Sequence, residues 1–174
     1  MRALYYFLIG IILFYIDTAI GLIIPMQIGG KDIIFVPHLT VMYILLLSVY
    51  RSFGVAIILS AVFGLITDLY FGSFYGLYLF GYILFVVIMD FFFKTFYRDE
   101  TMMFIIILSS AIFLEVYVVI MYSILGIINF EFIDFIMFRL IPTLILNLIL
   151  LTILYPIIMK FLRKVQLKID SKKP

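Results

Sequence analysis

Six apolar stretches, each about as long as a bilayer is thick, follow one another with only short polar breaks. No water-soluble fold can hide them. Crossing about 30 Å of hydrocarbon takes roughly 20 apolar residues, and the stretches cover about residues 4–24, 33–50, 52–69, 75–93, 102–128 and 135–162. Hydrophobic residues make up 67% of the 174 and the mean hydropathy is +1.34, against about 45–50% apolar in an ordinary soluble domain. The fold class expected is all-α: one polytopic membrane helix bundle over residues 1–162, followed by a basic tail over 163–174.

Two of the stretches raise questions. The first follows Arg2 as a secretory signal would, but it is too long for a signal core, has no A-x-A cleavage site, and precedes further spans; it reads as a retained helix. The second contains Pro37. Proline suits a first helical turn, so a helix can start there, leaving only about 14 residues, roughly 21 Å. Ile33 to Val36 would then be an extended interfacial piece. A five-span reading, with this piece re-entrant, stays open.

Cations set the orientation. Six spans with an inside N-terminus place Arg2, Arg51, Lys94, Arg98, Lys160, Arg163, Lys164, Lys168, Lys172 and Lys173 on the cytoplasmic side, which is ten of the twelve Lys and Arg. Lys31 alone falls outside, Arg139 lies within the sixth span, and Glu131 and Asp134 sit in an outer loop. Five spans would put the N-terminus and the basic tail on opposite sides, against this asymmetry. The tail cations suit anionic headgroups at roughly 1 kcal/mol each.

Several function classes drop out. With no cysteine and one histidine, His38, thiol chemistry, disulfides and most zinc or haem schemes are excluded. His38 reads as a polar residue at the outer interface. There is no Walker loop, G-x-S-x-G or H-E-x-x-H. No catalytic residue, metal site, cofactor or nucleic-acid partner is expected, and the loops are too short to form an extramembrane catalytic domain. An aspartyl dyad of Asp17 and Asp68 is conceivable, but nothing around either supports it. A proton relay lacks a matched second ion site, and no inverted repeat is visible.

Ionisable residues in spans are costly and mark function or partners. Asp17, Asp68, Glu115 and Arg139 fall at similar depth in the outer half; Asp90 lies near the inner face with Lys94 one turn on. Arg139, the lone cation among these acids, is expected to pair with Asp68 or Glu115 and lock spans three, five and six. The alternative leaves Asp68 hydrated at a helix end. Gly72 and Gly76, four apart after Asp68, read as a tight turn between spans three and four, with close packing by Gly76 and Gly81. Gly54 and Gly64 can let neighbours approach span three. Pro142 frees a carbonyl one turn into span six, as Pro156 does near its inner end. Asn147 either bonds across helices or is satisfied within its own helix.

These residues carry a resemblance. Gly64-Leu65-x-x-Asp68-x-x-x-Gly72-x-x-x-Gly76, together with Arg139-Leu-Ile-Pro142-Thr-Leu-Ile-Leu-Asn147, a helix ending near Tyr155 and the basic tail, is similar to the MreD family of bacterial rod shape-determining proteins, over nearly the full length. The resemblance implies a non-enzymatic scaffold of the cell-elongation machinery in the bacterial cytoplasmic membrane, with both termini cytoplasmic. It also implies binding to an MreC-like single-span protein and indirect work with MreB, RodA and a penicillin-binding transpeptidase in peptidoglycan synthesis. Asp68, Gly72, Gly76 and Arg139 would shape the MreC-docking region. The family is similar in fold to the six-helix substrate-binding subunits of energy-coupling-factor vitamin transporters. That is the alternative function, although span one lacks the small-residue surface expected for coupling to an ATPase module.

Overall fold

The computed structural model describes residues 2–23, 27–28, 31–96, 100–128 and 131–170. Its body is helical: α1 (Arg2–Ile23), α2 (Leu39–Tyr50), α3 (Phe53–Phe71), α4 (Leu77–Phe96), α5 (Glu100–Ile124), α6 (Phe132–Phe135) and α7 (Ile141–Asp170). A π-helical turn, Ile136–Leu140, joins α6 to α7 without a break. Between α1 and α2, Gln27–Ile28 (β1) pairs antiparallel with Lys31–Asp32 (β2). Four helical stretches, Leu4–Ile23, Phe53–Phe71, Thr101–Ile124 and Phe132–Leu162, are long and apolar enough to cross a membrane, and two shorter apolar helices, Leu39–Tyr50 and Leu77–Phe91, complete the bundle. The protein is a multi-pass membrane protein. The last helix runs on to Asp170, into the stretch expected to be a tail.

The centre of the bundle is α2. Every residue from Leu39 to Ser48 is buried, and the helix touches α1, α3, α4, α5 and α7. A helix apolar on all sides belongs inside, and Leu-Thr-Val-Met-Tyr-Ile-Leu-Leu-Leu-Ser offers no polar face. At 12 residues it is about 18 Å long, well short of the hydrocarbon thickness. Helix does not extend over the full 33–50 stretch. Residues 33–38 are non-helical and carry the chain the remaining distance at up to about 3.3 Å per residue. Irregular backbone at such depth survives only when protein covers it. Proline explains the start, since the residue before it is pushed out of helical geometry and its ring supplies no N–H.

Glycines set the spacing of the outer helices. A Cβ on Gly64 of α3 would lie 2.7 Å from the Leu79 Cα of α4, and one on Gly81 of α4 would lie 2.9 Å from a Leu114 methyl of α5. A side chain on Gly10 would collide with the Phe63 ring, so α1 settles onto α3 through that gap. Gly54, by contrast, has only the Ser52 hydroxyl nearby, at 3.9 Å, and brings no neighbour close. Where α2, α3 and α7 share one end, Tyr50 and Tyr155 exchange a hydroxyl bond of 2.9 Å. At the same end the Arg51 guanidinium lies 5.9 Å from the centre of the Tyr6 ring.

Candidate functional site

The opposite end of the bundle, where α1 runs into the β1–β2 pair and α3 turns into α4, holds the buried polar residues. Each helix N-terminus leaves backbone N–H groups without intrahelical partners. For α2 and α4 a carboxylate from a neighbouring helix fills that role. Asp17 of α1 accepts from Leu39 N (2.9 Å), Thr40 N (2.9 Å) and Thr40 Oγ1 (2.7 Å). Asp68, on the last turn of α3, accepts from Gly76 N (3.0 Å), Tyr78 N (2.8 Å) and Leu79 N (2.9 Å), the first turn of α4. Asp68 has no solvent exposure, so it is not a hydrated helix end. A carboxylate here also meets the partial positive charge of the helix it caps.

The Asp68 cap explains both glycines after it. Gly72 ends α3, its N–H bonding to the Asp68 carbonyl at 3.0 Å. Gly76 has φ +97, a region L side chains avoid, and this lets the chain double back so that its own N–H reaches Asp68. No atom lies within 4 Å of where its Cβ would be. Gly76 therefore serves the turn and not the close packing expected of it, which Gly64 and Gly81 supply.

Arg139 pairs with Glu115. Its Nε donates to one Glu115 oxygen, and His38 Nε2 donates to the other at 3.1 Å. Glu115 is completely buried and His38 is 4% exposed. His38 therefore lies inside the bundle and not at the interface where the sequence put it. One carboxylate thus ties α5, the π-helical turn and the entrance to α2 together. Among the described residues Arg139 makes no contact with Asp68.

The 33–38 segment is held by α7. Pro142 has no N–H for the carbonyl one turn back, Phe138, and Ile34 N takes that carbonyl at 2.8 Å. Val36 N donates to Thr143 Oγ1 at 3.2 Å. Asn147 Oδ1 accepts from His38 N at 2.8 Å, while its Nδ2 donates to Val36 O at 2.7 Å and to Thr143 O at 2.8 Å. Asn147 thus bonds both across the bundle and within its own helix. Two residues of strand advance about 6.6 Å and four residues of helix about 6 Å. Side chains at 143 and 147 therefore stand in for the partner strand that residues 34, 36 and 38 would otherwise need.

The sequence profile described as "rod shape-determining protein MreD" matches residues 1–165 of the 174. The chain belongs to the MreD family. No curated protein and no solved structure matches it. For an MreD chain the bonding above sorts the expected site residues into three groups: Asp68 with Gly72 and Gly76, Glu115 with Arg139, and Pro142 with Asn147. Asp17 stands apart on α1, serving α2. The dyad of Asp17 and Asp68 does not form, because each aspartate is turned to a different helix start. The sequence reading missed three participants, Thr40, Thr143 and the buried position of His38. Thr143 was legible in principle, being one turn before Asn147 and beside Pro142. The Asp90–Lys94 pair rests on a Lys94 side chain outside the described residues, and tail residues 171–174 also lie outside them.

Proposed function

We propose that this rod shape-determining membrane protein is a non-enzymatic scaffold of the cell-elongation machinery, holding an MreC-like single-span partner at the α3–α4 turn. The observation that carries this reading is the turn itself. Three backbone N–H groups donating to the buried Asp68 carboxylate pin it, and it presents Leu69, Tyr70, Phe71, Phe74 and Tyr75, each at least half exposed. A rigid, aromatic surface favours association, because little conformational freedom is lost when a partner binds. Asp68, Gly72 and Gly76 act by fixing its shape, and Arg139 by locking the bundle beneath it through Glu115.

The chemistry available supports a scaffold over an enzyme. Asp17, Asp68 and Glu115 are each engaged by the protein's own N–H groups or cations, so these three acids serve the bundle's own structure. The cation distribution favours cytoplasmic termini, with the α3–α4 turn on the outer side and the partner's external domain beyond it. Through that partner the protein would help organise MreB, RodA and a transpeptidase during peptidoglycan synthesis.

Co-purification of a tagged MreC-like protein tests the docking site. Phe74→Ala with Tyr75→Ala should cut recovery by about tenfold, while Phe113→Ala on the exposed face of α5 leaves it unchanged. Full recovery with the double variant would sink docking at this turn.

A further inference from the structure

A cavity of about 330 Å³ lies beside the polar cluster, bounded by α1, the 33–38 segment, α3 and α4, with Arg139 in its wall. Its carboxylates are saturated. Asp17 gives both oxygens to the start of α2, and the nearby Glu115 gives both to His38 and Arg139. The polar groups left over are mostly donors. Arg139 is 24% exposed and spends only Nε on Glu115; its two terminal nitrogens have no hydrogen-bond partner among the described residues. The Tyr78 hydroxyl, also in the wall, has none among them either. Because residues 34, 36 and 38 turn their backbone to α7, alternation turns Phe35 the other way. Its N–H and carbonyl have no partner among the described residues, and it too lines the cavity.

Guanidinium N–H groups beyond the Glu115 pair and a backbone N–H, all without a partner among the described residues, are costly to leave so at membrane depth, so something with acceptor oxygens suits the cavity. The rest of the wall is mostly apolar, with Phe14, Leu22, Val36 and Phe71 prominent, and the hydroxyls of Thr18 and Thr67 donate to carbonyls of their own helices. The two terminal nitrogens of a guanidinium can take two oxygens of a phosphate or carboxylate side by side. An inorganic ion alone would leave the apolar wall uncovered. The Asp17 charge in the same wall is offset by its three hydrogen bonds and the α2 N-terminus.

We infer that this cavity binds an amphiphile through an oxyanion headgroup, a phosphate-bearing lipid, with Arg139 as the anchor and the Phe14, Leu22 and Phe71 wall taking the first part of the acyl chain. The site borders the partner-docking turn at Phe71, but its anchor, Arg139, lies below that surface, and the inference does not depend on the partner.

The test uses the full-length protein in an uncharged detergent, with binding followed by native mass spectrometry and by the shift in unfolding temperature. Three probes are compared: dioctanoyl phosphatidic acid, dioctanoylglycerol and inorganic phosphate. Phosphatidic acid should bind and raise the unfolding temperature, the other two at least about tenfold more weakly. Arg139→Lys keeps the charge but not the fork, and should lose about tenfold in affinity. Gly21→Leu fills the cavity from a position whose Cβ meets nothing within 4 Å, so the fold is kept and binding lost. Equal binding of dioctanoylglycerol would overturn the headgroup assignment. Equal binding of inorganic phosphate would leave an ion site only and overturn the amphiphile. Undiminished binding in Gly21→Leu would overturn the location, and a water-soluble molecule retained in the cavity through purification would overturn the ligand class.

Discussion

At the scale of single residues, the buried acids do structural work that depends on which atoms they reach. Asp68→Ala would leave three backbone N–H groups of the α4 start unpaired, at about 1–3 kcal/mol for each group that water cannot reach. The expected outcome is a loss of several kcal/mol in reversible unfolding in mixed micelles, with Asp68→Asn losing less because one acceptor oxygen survives. Pairing makes a sharper prediction. Glu115→Gln and Arg139→Gln should couple in a double-mutant cycle by about 1–3 kcal/mol, whereas Asp68→Asn and Arg139→Gln should add. Strong coupling in the second cycle would contradict the contacts described. The glycines separate in the same way. Gly76→Ala forces a side chain to φ +97 and should cost about 1–3 kcal/mol. Gly21→Ala enters open space on a helix and should be neutral or gain about 0.5–1 kcal/mol. Thermal unfolding of the two variants side by side checks the contrast.

At the scale of elements, the 33–38 segment and α7 behave as one unit. Asn147 makes three hydrogen bonds, and such bonds within membranes average about 0.6 kcal/mol. Asn147→Leu should therefore cost about 2 kcal/mol in micelle unfolding, and Thr143→Val less. Pro142→Ala restores an N–H that competes with Ile34 for the Phe138 carbonyl, so proteolysis between α1 and α2 should accelerate. Much of this was legible in the sequence and some was not. The six apolar runs stood out because lipid demands length and hydrophobicity, and Pro37 marked where helix fails. Pro142 and Asn147 announced a carbonyl to be taken and an amide to be placed, without saying by what. Their partners lie more than 100 residues away, and no local pattern encodes that pairing. Asp68 was misassigned for a related reason. Its charge is conspicuous in sequence, whereas the backbone N–H groups that hold it belong to every residue and distinguish none. His38 was read as interfacial because the burial of a short, all-apolar α2 shows only once five helices surround it.

At the scale of the whole molecule, the absence of cysteine makes topology directly measurable. Ser73→Cys, exposed at the α3–α4 turn, and Ser52→Cys, exposed at the α2–α3 junction, should react with a membrane-impermeant maleimide from opposite faces. Ser73 should label from outside intact cells and Ser52 only after lysis; the reverse pattern would invert the orientation. The bundle is also not assembled in the order in which it is read. A translating ribosome delivers α2 and its irregular lead-in when the chain is about a quarter made, but Thr143 and Asn147 emerge almost 100 residues later. Until then the lead-in lacks the partners that Phe138, Thr143 and Asn147 give its backbone, and α2 is too short to hold a stable place in lipid alone. The middle of the protein must wait, sheltered by its neighbours or by the insertion machinery, for its final helix. Chains cut before Asn147 should insert their long helices yet remain targets for membrane proteases, because the contacts that close the bundle around α2 come from a helix made long after it.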